Sequence, residues 1–355
     1  MSNHECIRKL WVVSLFIALA FLFIIPSTAI LLSNNSYFGT TTNLVYGQLD
    51  QMNSNVTNSL NIQNIPVKKV HVGDIDVAYK MFGKGYPILL FNGASDGMDA
   101  WDPSFPAGLS SNHTVIAFDQ RGIGNTTAGS KPYTYQQLAN DTAGLLDALK
   151  IPKADVMGYS LGGHIAQAFT VSHPDKVNRL ILVASTCGGK DAIPKPPEFK
   201  KLQSEIVNKS LHNIPITREE MKSLSSASLG SGWIKLHPES LENIPANTTS
   251  LQQLKPGLSP EIANKQNNLG IWEETNWSGA CDKEAKLAKP TLVITGTDDN
   301  NYMPHGNALK IAEKIPGAWL VQIKDAGHAV MDQYPAEIGK ILNTFLSTTT
   351  TTPSN

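Results

Sequence analysis

Six short, predominantly apolar runs, set between longer stretches of helical character, restrict this 355-residue chain more than any other feature. The runs cover 88–91, 115–118, 154–157, 180–183, 291–294 and 319–323. A strand without polar alternation has both faces buried, the condition of a strand inside a parallel sheet covered by helices. Helical patterns over 135–149, 161–172, 307–314 and 336–346 supply that cover. Ahead of them, 67–72 and 75–82 alternate apolar and polar positions around Gly73-Asp74, a hairpin signal. Six runs and two hairpin strands predict an α/β fold with a mostly parallel eight-stranded sheet and helices on both faces.

The third run leads directly into Gly158-Tyr159-Ser160-Leu161-Gly162, and a helix-forming stretch leaves it. A serine between two such glycines, at a sharp strand-to-helix turn, has the form of a nucleophile elbow. The pattern alone is weak, because Gly93-Ala94-Ser95-Asp96-Gly97 matches it too. Ser95 runs on into Asp99, Asp102 and Pro103, which do not continue as a helix, whereas Ser160 is followed by clean helix formers. Context therefore selects Ser160.

A serine hydroxyl needs a base to take its proton and a carboxylate to hold that base in the right tautomer. The run at 291–294 ends in Gly296-Thr297-Asp298-Asp299, and the run at 319–323 ends in Lys324-Asp325-Ala326-Gly327-His328. Both lie at the carboxyl ends of expected parallel strands, where open α/β sheets place their sites. His328 is the candidate base and Asp299 the candidate acid, with Asp298 the alternative. An oxyanion needs two fixed N–H donors. Leu161, just after the nucleophile, and Ala94, in the loop after 88–91, are the candidates. His164 is expected to pack beside the elbow and His305 to start the helix after the acid loop.

The segments FNGASDGMDAW, FDQRGIGNT, MGYSLGGHIAQ, VITGTDD and DAGHAVMDQYP carry a further reading. Over about residues 67–346 they resemble the α/β-hydrolase superfamily, in its lid-bearing branch of small esterases, lactonases, non-haem haloperoxidases and proline iminopeptidase-like enzymes. The resemblance implies a Ser160–His328–Asp299 triad with Ala94 and Leu161 as the oxyanion hole. It also implies a structural role for Arg121, in the turn Asp119-x-Arg121-Gly122-x-Gly124. One departure stands out: Asn92-Gly93 replaces the family's usual His-Gly in the oxyanion loop. Epoxide hydrolases and haloalkane dehalogenases carry aspartate at the elbow, so Ser160 argues against both.

Between Cys187 and Cys281 the alternation of strand and helix stops. Helical patterns at 198–208, 218–229 and 260–268 appear there, with Trp233, Trp272 and Trp277. An excursion of this length between sheet strands reads as a helical lid over about 187–283. The two cysteines stand near where it leaves and rejoins the core, either as a disulfide or as two buried thiols.

The remaining divisions come from composition. Residues 1–33 pair Arg8 and Lys9 with an uncharged stretch from Leu10 to Leu32, which reads as a signal peptide or signal anchor. Either places the rest of the chain outside the cytoplasm, with membrane attachment through this segment if it is retained. Residues 34–65, rich in Asn, Ser, Thr and Gln, read as a polar linker; 66–347 form the hydrolase domain and 348–355 a Thr-rich tail. Sequons at Asn34, Asn55, Asn112, Asn125, Asn140, Asn208, Asn247 and Asn276 fit that location without establishing it. A formal charge of −1 offers nucleic acid no general attraction. No Cys/His cluster points to a metal, and no cofactor is expected. The function expected is cleavage of a small, largely apolar acyl ester or lactone. Iminopeptidase-like amide hydrolysis, or ligand binding on a hydrolase scaffold with little turnover, are the alternatives.

Overall fold

The computed structural model describes residues 62–348 except 95, 191, 213, 243–246, 249–260, 263–264 and 267–278. The expectations for the N-terminal segment, most of the linker, the tail after residue 348, Trp272, Trp277 and most of 260–268 lie outside those residues.

The strands of the main sheet are β1 (Lys68–Val72), β2 (Ile75–Gly83), β3 (Tyr86–Phe91), β4 (His113–Phe118), β5 (Ala154–Tyr159), β6 (Val177–Val183), β9 (Thr291–Gly296) and β10 (Trp319–Ile323). Their order is β1-β2-β4-β3-β5-β6-β9-β10. β1 and β2 pair antiparallel, as do β2 and β4, and the rest is parallel. The expected sheet of eight mostly parallel strands is the one observed.

Helices cover both faces because the central strands carry apolar side chains on both sides, the buried Asp155 of β5 being paired with Asn178 and Arg179. Leu89 and Phe91 of β3 join a cluster with Leu138 and Leu145 of α2 (Tyr135–Ala148), Ile165 and Phe169 of α3 (Leu161–Ser172), and Ile311 of α8 (Gly306–Lys314). Ile88 and Leu90 of the same strand join Phe105 and Leu109 of α1 (Ser104–Ser110) and Ile338, Leu342 and Phe345 of α9 (Pro335–Ser347). Successive side chains on one strand thus feed two separate cores. Thr134 starts α2 by accepting the Gln137 N–H on its side chain at 3.1 Å. β10 departs from expectation: it is the sheet edge, and Trp319 is 43% exposed.

Packing also begins ahead of residue 66. Ile62 is fully buried, and Lys80 Nζ, itself buried, donates to its carbonyl at 2.9 Å and to Asp99 at 2.6 Å. Arg121 holds the turn after β4 in place, as the resemblance implies. Its buried guanidinium donates to Asp141 at 2.7 Å and to Asp74 at 2.8 Å. That partner keeps the Asp74 carboxyl far below the usual carboxylate range.

Between β6 and β9 the chain forms α4 (Pro197–Leu211), α5 (Arg218–Leu229) and α6 (Ser231–Leu236), with a small ribbon of β7 (Ile216–Thr217) and β8 (Asn247–Thr248). α5 opens with a reciprocal capping box between Thr217 and Glu220. The chain returns through α7 (Cys281–Leu287), and Cys187 is disulfide-bonded to Cys281 with Cα atoms 5.5 Å apart. Of the two readings open for these cysteines, the structure contains the bonded one. Among the described residues no helix is long and apolar enough to cross a membrane.

Candidate active site

The turn from β5 into α3 is too tight for side chains at its glycines. A Cβ at Gly158 would lie 2.4 Å from the Gly162 carbonyl oxygen, and one at Gly162 would lie 2.3 Å from that of Phe91. Between them Ser160 adopts φ 53°, a left-handed conformation strained for any residue with a Cβ. The strain is held from outside: the Ser160 N–H donates to Val183 O at 2.9 Å, and its carbonyl accepts from Ser185 Oγ at 3.1 Å. The hydroxyl is thereby fixed at the N-terminus of α3.

The loops after β9 and β10 bring their side chains to it. His328 Nε2 lies 3.0 Å from Ser160 Oγ, and His328 Nδ1 lies 2.5 Å from Asp299 Oδ2. Asp299 and His328 are fully buried and Ser160 nearly so. The other Asp299 oxygen accepts the Met303 N–H at 3.1 Å, which orients the carboxylate. Asp298 points elsewhere and accepts from Ser231 Oγ at 3.0 Å and from Gly232 N–H at 2.9 Å. Of the competing aspartates, then, Asp299 meets the histidine and Asp298 meets the inserted segment.

Ala94 and Leu161 line the same cavity as Ser160. Leu161 is the first residue of α3, so its N–H has no partner within the helix. Asn92, where the family usually has histidine, ties its own loop together by donating its side-chain amide to the Gly97 carbonyl. Gln120 Nε2 donates to the Asn92 carbonyl at 3.0 Å. The rival serine, Ser95, lies outside the described residues, and the chain after it makes a single turn at Met98–Ala100. His164 packs beside the elbow as expected, its Nδ1 3.3 Å from the Tyr135 hydroxyl, and His305 starts α8.

Sequence reasoning missed several neighbours. Tyr302 and Tyr159 both lie against His328, and burial pushes both phenols upward, so both rings stay neutral. Gln333 Oε1 accepts the Gly327 N–H at 2.9 Å while its Nε2 donates to Leu229 O at 2.8 Å, tying the histidine loop to the end of α5. Tyr159 is legible as the middle residue of the elbow; Tyr302 and Gln333 carry no local signal. The cavity beside Ser160 measures about 180 Å³. Its wall combines Ala192, Ile193 and Met303 with Lys195, Lys200 and Gln266, more polar than the sequence suggested. Among the described residues no cluster of three or more His, Cys, Asp or Glu side chains could hold a metal.

The model of the alpha/beta hydrolase fold family matches residues 86–335, and the chain belongs to that family. It is 28% identical, over 77% of its length and 98% of the other, to a Mycobacterium tuberculosis protein bearing the name non-heme bromoperoxidase BpoC. It is 29% identical to the poly(3-hydroxyalkanoate) depolymerase of Ectopseudomonas oleovorans, over 73% of this chain and 84% of that one. Among solved structures it resembles Est816, described as an N-acyl homoserine lactone degrading enzyme. The TM-score is 0.61 at 24% identity, over 78% of this chain and all of that one.

Proposed function

We propose that this member of a hydrolase family is a serine hydrolase that cleaves a small acyl ester or lactone through Ser160, His328 and Asp299. The observation that carries the reading is the 3.0 Å approach of His328 Nε2 to Ser160 Oγ, with Asp299 behind the other ring nitrogen. In the attack, Ser160 Oγ bonds to the carbonyl carbon while its proton passes to Nε2. Asp299 holds Nδ1–H and stabilises the imidazolium that forms. The Leu161 and Ala94 N–H groups take the oxyanion. His328 returns the proton to the leaving alkoxide, then activates water to release the acyl group. A depolymerase of poly(3-hydroxyalkanoate) and a lactone-degrading neighbour, both named for ester-bonded compounds, support an ester substrate. Among the described residues lining the cavity none is acidic, which favours an ester over a substrate presenting an amine.

In this reading the segment 187–283 is a lid, since Gly188, Gly189, Lys200 and the run from Ala192 to Lys195 form one wall of the cavity. The N-terminal segment exports the chain or anchors it, and the domain works outside the cytoplasm. The Cys187–Cys281 bond supports that location, because cytosolic thiols are generally kept reduced.

The test is labelling of the full-length protein by a fluorophosphonate probe, with turnover on a panel of acyl esters. Ser160→Ala should abolish labelling and lower turnover by on the order of a millionfold. An unlabelled parent protein, or an unchanged variant, would sink the proposal.

A further inference from the structure

Two buried aromatic rings lie against the imidazole of His328, and the mechanism above uses neither. Tyr302 stacks on it with ring centroids 5.0 Å apart and planes at 28°. Tyr159 lies at 5.6 Å and 34° and donates its hydroxyl to the His328 carbonyl at 3.1 Å. Tyr302 belongs to the wall of the substrate cavity, while Tyr159 lines a smaller cavity with Asp96 and Asp332. Tyr302 also meets Phe199 of α4 edge-on, with centroids 4.5 Å apart, so the inserted segment holds its ring in place.

For a neutral imidazole such stacking is packing. Once His328 takes the serine proton the ring is a cation, fully buried, and the face of a neutral aromatic ring within about 6 Å of a cation attracts it. We propose that Tyr302 is a positioning residue that stabilises the protonated form of His328 during attack by Ser160, an inference that rests on the serine-hydrolase reading. Asp299 compensates the charge in the plane of the imidazole, at Nδ1, and Tyr302 compensates it from the face. Among the described residues, the other charged or titratable groups lining the two cavities are Asp96 and Asp332 in the smaller and His164, Lys195 and Lys200 in the larger. A change confined to ring 302 leaves all of them in place.

The experiment varies the electron density of that ring while keeping its shape. Full-length protein is prepared with tyrosine, phenylalanine and progressively fluorinated phenylalanines at position 302. The rate of Ser160 phosphonylation by a fluorophosphonate, in which the Oγ–P bond forms as fluoride leaves, is followed against pH. The reaction requires neutral His328, so a face that stabilises the cation holds the acid limb of the profile at higher pH. Fluorination should therefore move the limb to lower pH, by about half a unit or more across the series, and slow the plateau severalfold. Tyr302→Phe, which keeps the face, should retain the parent's acid limb. A limb unmoved by fluorination, or moved to higher pH, overturns the role of Tyr302 and leaves the serine-hydrolase reading intact. A parent protein that the probe does not label overturns both.

Discussion

Asp298 and Asp299 are consecutive, yet one is bonded to the inserted segment and the other to the histidine. Asp299 Oδ2 lies 2.5 Å from His328 Nδ1, whereas Asp298 Oδ2 takes the Ser231 hydroxyl and the Gly232 N–H at the start of α6. Asp299→Asn keeps the shape but favours the wrong imidazole tautomer, so kcat should fall by about 10³–10⁴-fold. Asp298→Asn should cost tenfold or less and act mainly through the placement of α6. Steady-state kinetics on both variants check the assignment, and a larger loss for Asp298→Asn would reverse it.

Gln333 should matter although it touches neither serine nor acid. It satisfies the buried N–H of Gly327, beside the histidine, and the carbonyl of Leu229 in the insert. Gln333→Leu strands both groups, each at about 1–3 kcal/mol, and frees the loop that holds His328. Turnover should drop by about 10–100-fold, with thermal stability lowered as well. Unaltered kinetics and melting would show that the loop needs no such tie.

The disulfide closes a loop across a sequence separation of 94 residues. In the chain-entropy model a bond of that span restricts the unfolded chain by about 4–5 kcal/mol. Replacing both cysteines with serine should lower Tm by on the order of 5–10 °C, read by calorimetry. An unchanged Tm, or free thiols in mass mapping of the native protein, would rule the bond out.

Glu284 of α7 is almost wholly buried, and neither carboxylate oxygen has a hydrogen-bond partner among the described residues. Burial raises its pKa to about 8, against an ordinary value of 4.5. The folded protein therefore keeps this proton after the unfolded chain has lost it. Stability should fall as pH rises from about 4.5 to about 8, by on the order of 4–5 kcal/mol from this group. Glu284→Gln should flatten that slope in denaturant titrations at several pH values. An equally steep slope in the variant would contradict the assignment.

The chain itself determined the sheet and the elbow. Apolar runs with no alternation can be buried only on both faces, as Ile88 and Leu89 show by entering different cores. Gly158 and Gly162 flank Ser160 because no side chain fits there, and that requirement is local enough to be written in adjacent residues. The edge position of β10 was not legible, since an apolar run does not state which strand has a neighbour on only one side. The choice of Asp299 over Asp298 was open for a similar reason: both come after the same strand, and their partners lie in other loops. Tyr302 reaches His328 from 26 residues away in the chain, and Gln333 ties it to an insert more than a hundred residues distant. Such contacts depend on how loops converge at one end of a parallel sheet, so only the tertiary structure decides them.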